Sequence, residues 1–334
     1  MSMFGHVRNA VKRFALLIDL TCSQLCGVLR RYELRTEREP MFYTGFADEA
    51  ANDIDGQIEV TRHLGWKHIE LRAVDGVNAH DLPQGRFEEV AEKLERAGIG
   101  VNCLGSNIAN WGTDVEQPTE ELLAMTDRAV ARMKALGTTQ VRVMSFRIIE
   151  DADGRAAADQ KEELRFEKLR AVTARFTAEG LVPVHENCHT YGGMSWEHTR
   201  RLLREVPGLK LVFDVGNTPL TADFRKAYPY PRQSSLEFYR NVKDAVVHVH
   251  IKDGRYDPAD GSEVYTFPGE GAGEVPEVLA ELFADGYDGG LSIEPHMAVV
   301  YHDPGVSAGE DQRRGNYVEY GRRLMDLVAA IRAR

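Results

Sequence analysis

The sequence predicts a single-domain (β/α)8 barrel behind an N-terminal extension, on three observations. Eight short strand-like runs alternate with eight helix-like stretches over residues 42–332. Such alternation over short links gives a parallel sheet, and eight units in succession close into a barrel. A competing doubly wound sheet would want a phosphate loop, but no G-x-G-x-x-G follows the first strand. Gly269, Gly271 and Gly273 come late, ahead of the seventh helix. Finally, four late strands end in acidic and imidazole side chains, and all strand ends of a barrel open on one face.

In chain order, a strand at 42–47 precedes a helix capped by Asp53 or Asp55, marked by Ile58, Thr61, Leu64 and Gly65. The strand at 68–71 precedes a helix whose Phe87, Val90, Ala91, Leu94 and Ala97 recur at helical spacing, broken by Gly98. The strand at 100–104 runs into a polar loop at 106–111. The third helix carries Leu122, Met125, Ala129, Met133 and Leu136 on one face and ends at Gly137, a preferred C-terminal cap. A strand at 140–144, a charged helix at 160–179 and a strand at 181–186 follow. The remaining predicted helices cover 196–206, 235–244 and 275–284, and the remaining strands 209–214, 245–251 and 291–294. The last helix places Tyr317, Tyr320, Gly321, Leu324, Leu327, Val328 and Ile331 on one stripe.

A chain of 334 residues with 43% hydrophobic and 28% charged residues is expected to be soluble and globular. Its formal net charge of −11 argues against a nucleic-acid partner, since phosphate binding draws on clustered Lys and Arg. A small-molecule partner is expected, with a homo-oligomer compatible. Cys22, Cys26, Cys103 and Cys188 show no disulfide-framework spacing, which suits a reducing cytoplasmic location. Cys22 and Cys26 lack the second pair a zinc knuckle needs, and Cys103 and Cys188 read as packing residues. Residues 1–40 read as a poorly ordered extension outside a barrel domain at 41–334. Their apolar run at 14–18 is too short to span a bilayer and lacks a clean cleavage site, so no membrane role is expected.

The four chemically loaded strand ends are His185-Glu186-Asn187-Cys188-His189, Asp214-Val215-Gly216-Asn217, His248-Val249-His250-Ile251-Lys252-Asp253 and Glu294-Pro295-His296. The steps from Glu186 to Asp214, His250 and Glu294 are each close to one βα unit. One imidazole and three carboxylates suit a divalent cation of the Mn, Mg, Co or Zn group, Mn foremost, with oxygen-rich ligation favouring Mn or Mg over a thiolate-bound metal. Strand-end acids also cap helices or pair with Arg, so any one alone would be unremarkable.

The runs Val212-Phe213-Asp214-Val215-Gly216-Asn217, His250-Ile251-Lys252-Asp253, Pro268-Gly269-Glu270-Gly271 and Tyr287-Asp288-Gly289-Gly290-Leu291-Ser292-Ile293-Glu294 resemble the xylose isomerase-like TIM-barrel superfamily. The likeness is to its sugar isomerase/epimerase branch, which includes ketose 3-epimerases, hydroxypyruvate isomerase and inosose dehydratase. It spans residues 42–332. It implies a single metal held by Glu186, Asp214, His250 and Glu294, with Glu186 and Glu294 also catalytic.

The resemblance further implies a divalent-metal-dependent isomerase or epimerase, which exchanges a proton beside the carbonyl of a keto-sugar through a metal-stabilised enediolate. The alternative is a lyase or dehydratase that performs β-elimination on a 3-oxo-sugar, 3-oxo-glycoside or inosose at the same site. Ketose 3-epimerases commonly place a His where this chain has Asn217, while His189 and His296 are extra imidazoles that would serve elimination. Further substrate-binding candidates are Glu70, Asn107, Trp111, Asn187 and Lys252. His248 shares a face with His250 but lies deeper, and reads as a hydrogen-bonded core residue. An abasic-site nuclease with three zinc ions and a metal-free binding protein are disfavoured by the charge and by the single ligand set.

Overall fold

The computed structural model describes residues 41–300 and 303–333. Eight parallel strands form its centre: β1 (Phe42–Gly45), β2 (His68–Leu71), β3 (Gly100–Leu104), β4 (Gln140–Val143), β5 (Val182–Glu186), β6 (Lys210–Asp214), β7 (Val246–Ile251) and β8 (Gly290–Ile293). Their order in the sheet is β1-β8-β7-β6-β5-β4-β3-β2, and β1 and β2, its two ends, lie side by side. The sheet is thus a barrel, nearly closed by its hydrogen bonds. The principal helices are α1 (Ile54–His63), α2 (Gln84–Ala97), α3 (Thr119–Leu136), α4 (Glu162–Ala178), α5 (Trp196–Glu205), α6 (Ser235–Val242), α7 (Val275–Ala284) and α8 (Glu310–Arg332). None of the described helices is long and apolar enough to cross a membrane.

The ends of these elements follow local chemistry. Asp53 caps α1 by accepting from the Gly56 N–H, and Ser195 and Ser234 cap α5 and α6 in the same way. Gly98 and Gly137 terminate α2 and α3 in the left-handed conformation at φ 66° and 69°, which glycine adopts without a Cβ penalty. The predicted stripes are the buried ones: Phe87, Val90 and Leu94 on α2, Leu122, Ala129 and Met133 on α3, and Tyr317, Tyr320, Gly321, Leu324 and Val328 on α8. Met125, Leu136, Leu327 and Ile331 are only partly buried, and Thr126 completes the α3 face.

Several boundaries differ from the sequence prediction. α6 stops at Val242 and a single tight turn at Lys243–Ala245 leads into β7. α4 begins at Glu162 rather than 160, because Gln160 is spent on the loop, where its amide bonds the Ile149 N–H and carbonyl. Three two-stranded ribbons were not legible as strands: Ala73–Val74 with Val77–Asn78, Gly254–Tyr256 with Glu263–Tyr265, and Val299–Val300 with Asp303–Ser307. Two- and three-residue strands carry no periodicity to detect. The reading of residues 1–40 as an extension, and the Cys22/Cys26 spacing within it, lies outside the described residues. Cys103 and Cys188 are free and buried, as expected of packing residues.

The register positions the site. Asp214 on β6 pairs with His250 on β7, and His250 pairs with Ser292 on β8. Glu294 lies two residues beyond Ser292, on the same face of an alternating strand. Its N–H still donates to the Ile251 carbonyl at 3.1 Å, so the ladder holds its backbone after the strand proper ends. On the other side, Glu186 on β5 pairs with Val212, two residues before Asp214.

Candidate metal centre

Glu186, Asp214, His250 and Glu294 converge at the C-terminal mouth of the barrel, with one potential ligand atom from each all within 4.8 Å of one another. All four side chains are buried. Two of their atoms make no hydrogen bond: His250 Nδ1 and Asp214 Oδ2. Asp214 Oδ2 has the Lys252 ammonium 3.1 Å away, whereas His250 Nδ1 faces only the Glu186 carboxylate at 3.6 Å, and a buried polar atom is almost always satisfied. The donor set, three carboxylates and one imidazole, is that of a divalent cation with oxygen-rich ligation.

Two other groups of acids and histidines lie nearby, and each is closed by protein groups. Glu70, His248 and His250 hydrogen-bond among themselves, with His248 Nε2 2.8 Å from Glu70 Oε2 and His250 Nε2 3.1 Å from the same oxygen. In the group of Glu49, Glu294 and His296, the Arg72 guanidinium donates to Glu294 Oε1 at 2.7 Å and to Glu49 Oε1 at 3.2 Å, and His296 Nδ1 lies 2.9 Å from Glu49 Oε1. The first cluster is the one of the three that gathers three carboxylates with an imidazole, the donor set a divalent cation takes.

Buried cations balance the acids. Arg142 Nη1 donates to Glu186 Oε2 at 2.9 Å, and Asn217 Nδ2 donates to Glu186 Oε1 at 3.1 Å. Lys252 Nζ lies 3.1 Å from both Asp214 Oδ2 and Glu294 Oε2. The Phe46 ring packs beneath both guanidiniums, with Arg72 4.3 Å and Arg142 5.0 Å from its centroid, and meets the His250 ring edge at 5.0 Å.

These charges set the protonation states. Burial opposes ionisation of Glu186, but Arg142 and the neighbouring His250 imidazole outweigh it and hold its pKa down to about 2. Burial likewise opposes ionisation of Glu294, yet Lys252, His296 and Arg72 keep it well below the usual range. Asp214 behaves in the opposite sense. Burial, with repulsion from Glu294 and Glu186, overcomes Lys252 and pushes it up to about 6. His250 is buried too, but Glu70 and Glu186 draw its pKa up to about 10. Among protein charges alone the centre therefore favours bound protons, which a divalent cation would replace.

The structure sorts the remaining candidates. Asn217 and Lys252 touch the cluster directly. His296 is buried, with Nε2 3.9 Å from Glu294 Oε1, Nδ1 2.9 Å from Glu49 Oε1 and its backbone N–H donating to Glu49 Oε2. Its φ of 53° is an unusual value for a non-glycine residue, and the two Glu49 bonds hold it there. Asn107 and Trp111 are half-buried on the loop after β3, and Asn107 Oδ1 lacks a hydrogen-bond partner. His189 is exposed.

Two candidates for substrate contact have their polar groups engaged within the protein. Glu70 faces the two histidines rather than the mouth, with both carboxylate oxygens engaged. Asn187 clamps the β6 backbone, because its Nδ2 donates to the Asp214 carbonyl and its Oδ1 accepts from the Asp214 N–H, which leaves little for a ligand. His248 is buried and bonded, as read. The glycines at 269, 271 and 273 bind no phosphate: their N–H groups, with that of Gly254, donate to the Asp253 carboxylate at 2.8–3.0 Å.

Arg142, Asp48 and Glu49 escaped the sequence reading. Arg142 sits between Val141 and Val143 in the strand Gln140–Val143, and a guanidinium flanked by two buried valines was the available signal. Asp48 and Glu49 follow β1 directly, as the later acids follow their strands, and the same test applied to β1 would have found them.

A parallel barrel with acids and an imidazole gathered at its C-terminal mouth defines a class in which strand ends carry the chemistry. Over residues 58–325 the chain matches the xylose isomerase-like TIM barrel family, and it belongs to that family. No curated protein sequence matches it. Among solved structures, it is similar to a xylose isomerase-like TIM barrel protein from Mycobacterium smegmatis in complex with magnesium. That likeness has TM-score 0.60 and 19% identity over 88% of this chain and 98% of that one. It is also similar to 3-keto-D-glucoside 4-epimerase from E. coli (TM-score 0.56, 16% identity, 84% of this chain and 98% of that one). A third likeness is to the probable 3-DHS dehydratase from Bacillus anthracis (TM-score 0.59, 13% identity, 83% and 97%).

Proposed function

We propose that the protein is a divalent-metal-dependent isomerase or epimerase of a keto-sugar, with Glu186, Asp214, His250 and Glu294 as ligands. The observation that carries this reading is the convergence of these four buried side chains, one potential ligand atom from each within 4.8 Å of the others, with His250 Nδ1 making no hydrogen bond. Manganese or magnesium suits the oxygen-rich set, and the similar mycobacterial structure is a magnesium complex. Bound there, the cation supplies Lewis-acid polarisation of a substrate carbonyl.

The protein's own groups do the rest. Glu186 and Glu294 are kept as carboxylates by Arg142 and by Arg72 with Lys252, so either can accept the acidified proton on the carbon beside the carbonyl. Relayed through water, that proton passes to the other glutamate, which returns it on the opposite face to epimerise or at the neighbouring carbon to isomerise, so that both glutamates end ionised as they began. Lys252 Nζ is placed to donate to negative charge that develops on a substrate oxygen.

One observation favours a second reading, β-elimination on a 3-oxo-sugar, 3-oxo-glycoside or inosose. His296 is oriented by Glu49, with Nε2 turned toward Glu294, and an imidazole so held can protonate a leaving oxygen. Incubation of candidate keto-sugars with manganese-loaded protein in deuterated water separates the two. Deuterium in a recovered sugar of unchanged formula supports isomerase or epimerase; loss of water or aglycone supports lyase. Absence of bound divalent metal and of both products would overturn the reading.

A further inference from the structure

We infer that Glu70 is a positioning residue for the metal centre: it fixes which nitrogen of His250 faces the ligand cluster. This rests on the reading of Glu186, Asp214, His250 and Glu294 as a metal site.

The argument is geometric. Glu70 comes from β2, three strands round the barrel from β7, and its buried carboxylate reaches both β7 histidines across the interior. An ionised carboxylate only accepts hydrogen bonds, so each imidazole nitrogen that faces it carries a proton. His250 Nε2 lies 3.2 and 3.1 Å from the two Glu70 oxygens and is therefore N–H. The lone pair of the neutral ring then falls on Nδ1, the nitrogen 3.6 Å from Glu186 Oε1 and without a hydrogen bond.

His248 keeps Glu70 in place. Two residues before His250 on the same strand face, its Nε2 lies 2.8 Å from Glu70 Oε2, and the two rings meet edge to face at 5.2 Å. Glu70 is thereby shared between two donors and cannot swing toward the mouth. Carboxylates behind ligating histidines fix the tautomer and raise ligand basicity, and their loss typically weakens metal affinity about 10- to 100-fold.

Glu70→Gln keeps the size and removes the obligatory acceptor, since an amide presents either a donor or an acceptor to each ring. Titration calorimetry with Mn²⁺ is expected to show the variant binding about 10- to 100-fold more weakly than the wild type. Zinc-loaded wild-type protein with ¹⁵N-labelled histidine supplies a signature that a structural role would not move. Long-range ¹H–¹⁵N correlation is expected to show His250 coordinated through Nδ1 with a protonated Nε2. Coordination through Nε2, or an unchanged Mn²⁺ affinity in a folded Glu70→Gln protein, would overturn the inference while leaving the metal site standing. A wild type that takes up neither metal would instead overturn the site reading beneath it. Should the variant not fold, the wild-type spectrum decides alone.

Discussion

Arg72 Nη1 donates to Glu294 Oε1 at 2.7 Å, and both side chains are buried. The same guanidinium forks onto Asp48, with Nε to Oδ2 at 2.9 Å and Nη2 to Oδ1 at 3.1 Å. One cation just beyond β2 thus ties the loop after β1 to the end of β8, across the seam where the sheet order begins and ends. Removing one partner of such a network leaves uncompensated buried charge. Arg72→Met is expected to cost about 3–5 kcal/mol, measured by urea unfolding. A cost below about 1 kcal/mol would show the network to be dispensable to stability.

Glu294→Gln is expected to abolish turnover of any accepted sugar, because it removes a ligand and a proton acceptor together. Glu186→Gln should do the same, since Arg142 and Asn217 place that carboxylate as the counterpart across the cluster. Circular dichroism should be unchanged in both. Near-normal deuterium exchange in either folded variant contradicts the two-glutamate scheme.

The pH dependence of metal binding follows from Asp214. Its folded pKa of about 6 lies above the ordinary value of about 3.9, so the folded chain retains this proton where the unfolded chain has lost it. Asp214 therefore adds stability to the metal-free protein as pH falls through 6. Glu186 has the opposite sign: its contribution is complete above about 4.3 and is lost as pH falls toward 2. A cation must displace the Asp214 proton, which alone weakens Mn²⁺ binding about tenfold at pH 5 relative to pH 7.5, and the His250 proton, which adds to the loss in the same direction, so a drop of more than about tenfold is expected. Calorimetry at the two values tests this, and equal affinities would contradict it.

Metal loading should also raise the melting temperature. Binding to the folded state alone at a free concentration 100 times Kd adds about 2.7 kcal/mol of stability. Chelation should reverse the shift and Mn²⁺ restore it; calorimetric melting curves that superimpose would exclude an ion in the cluster.

Asp253→Ala is expected to destabilise the fold by at least about 2 kcal/mol, because four backbone N–H groups lose their acceptor. Gly271→Ala should approach this effect, since an added Cβ would collide with Asp253 Oδ1. Urea unfolding of the two variants measures both.

The sequence by itself determined the barrel and the four-residue cluster. Helical stripes, glycine caps and the repeated strand-helix spacing are local properties, and strand ends of a parallel barrel must share one face. Glu186, Asp214, His250 and Glu294 were legible because each ends its own strand. What only the tertiary structure decided is which polar groups face each other across the barrel. Glu70 and Asn187 resemble substrate contacts in one dimension, but inward direction and β-register turn them toward His250 and the Asp214 backbone. Arg142, Asp48 and Glu49 belong to the centre through contacts between residues 23 to 247 positions apart. The glycine loop at 269–273 encloses an aspartate of its own chain rather than a phosphate. Periodicity records which side of an element is buried, whereas a hydrogen-bond partner on another strand is chosen by closure of the sheet, which no local pattern encodes.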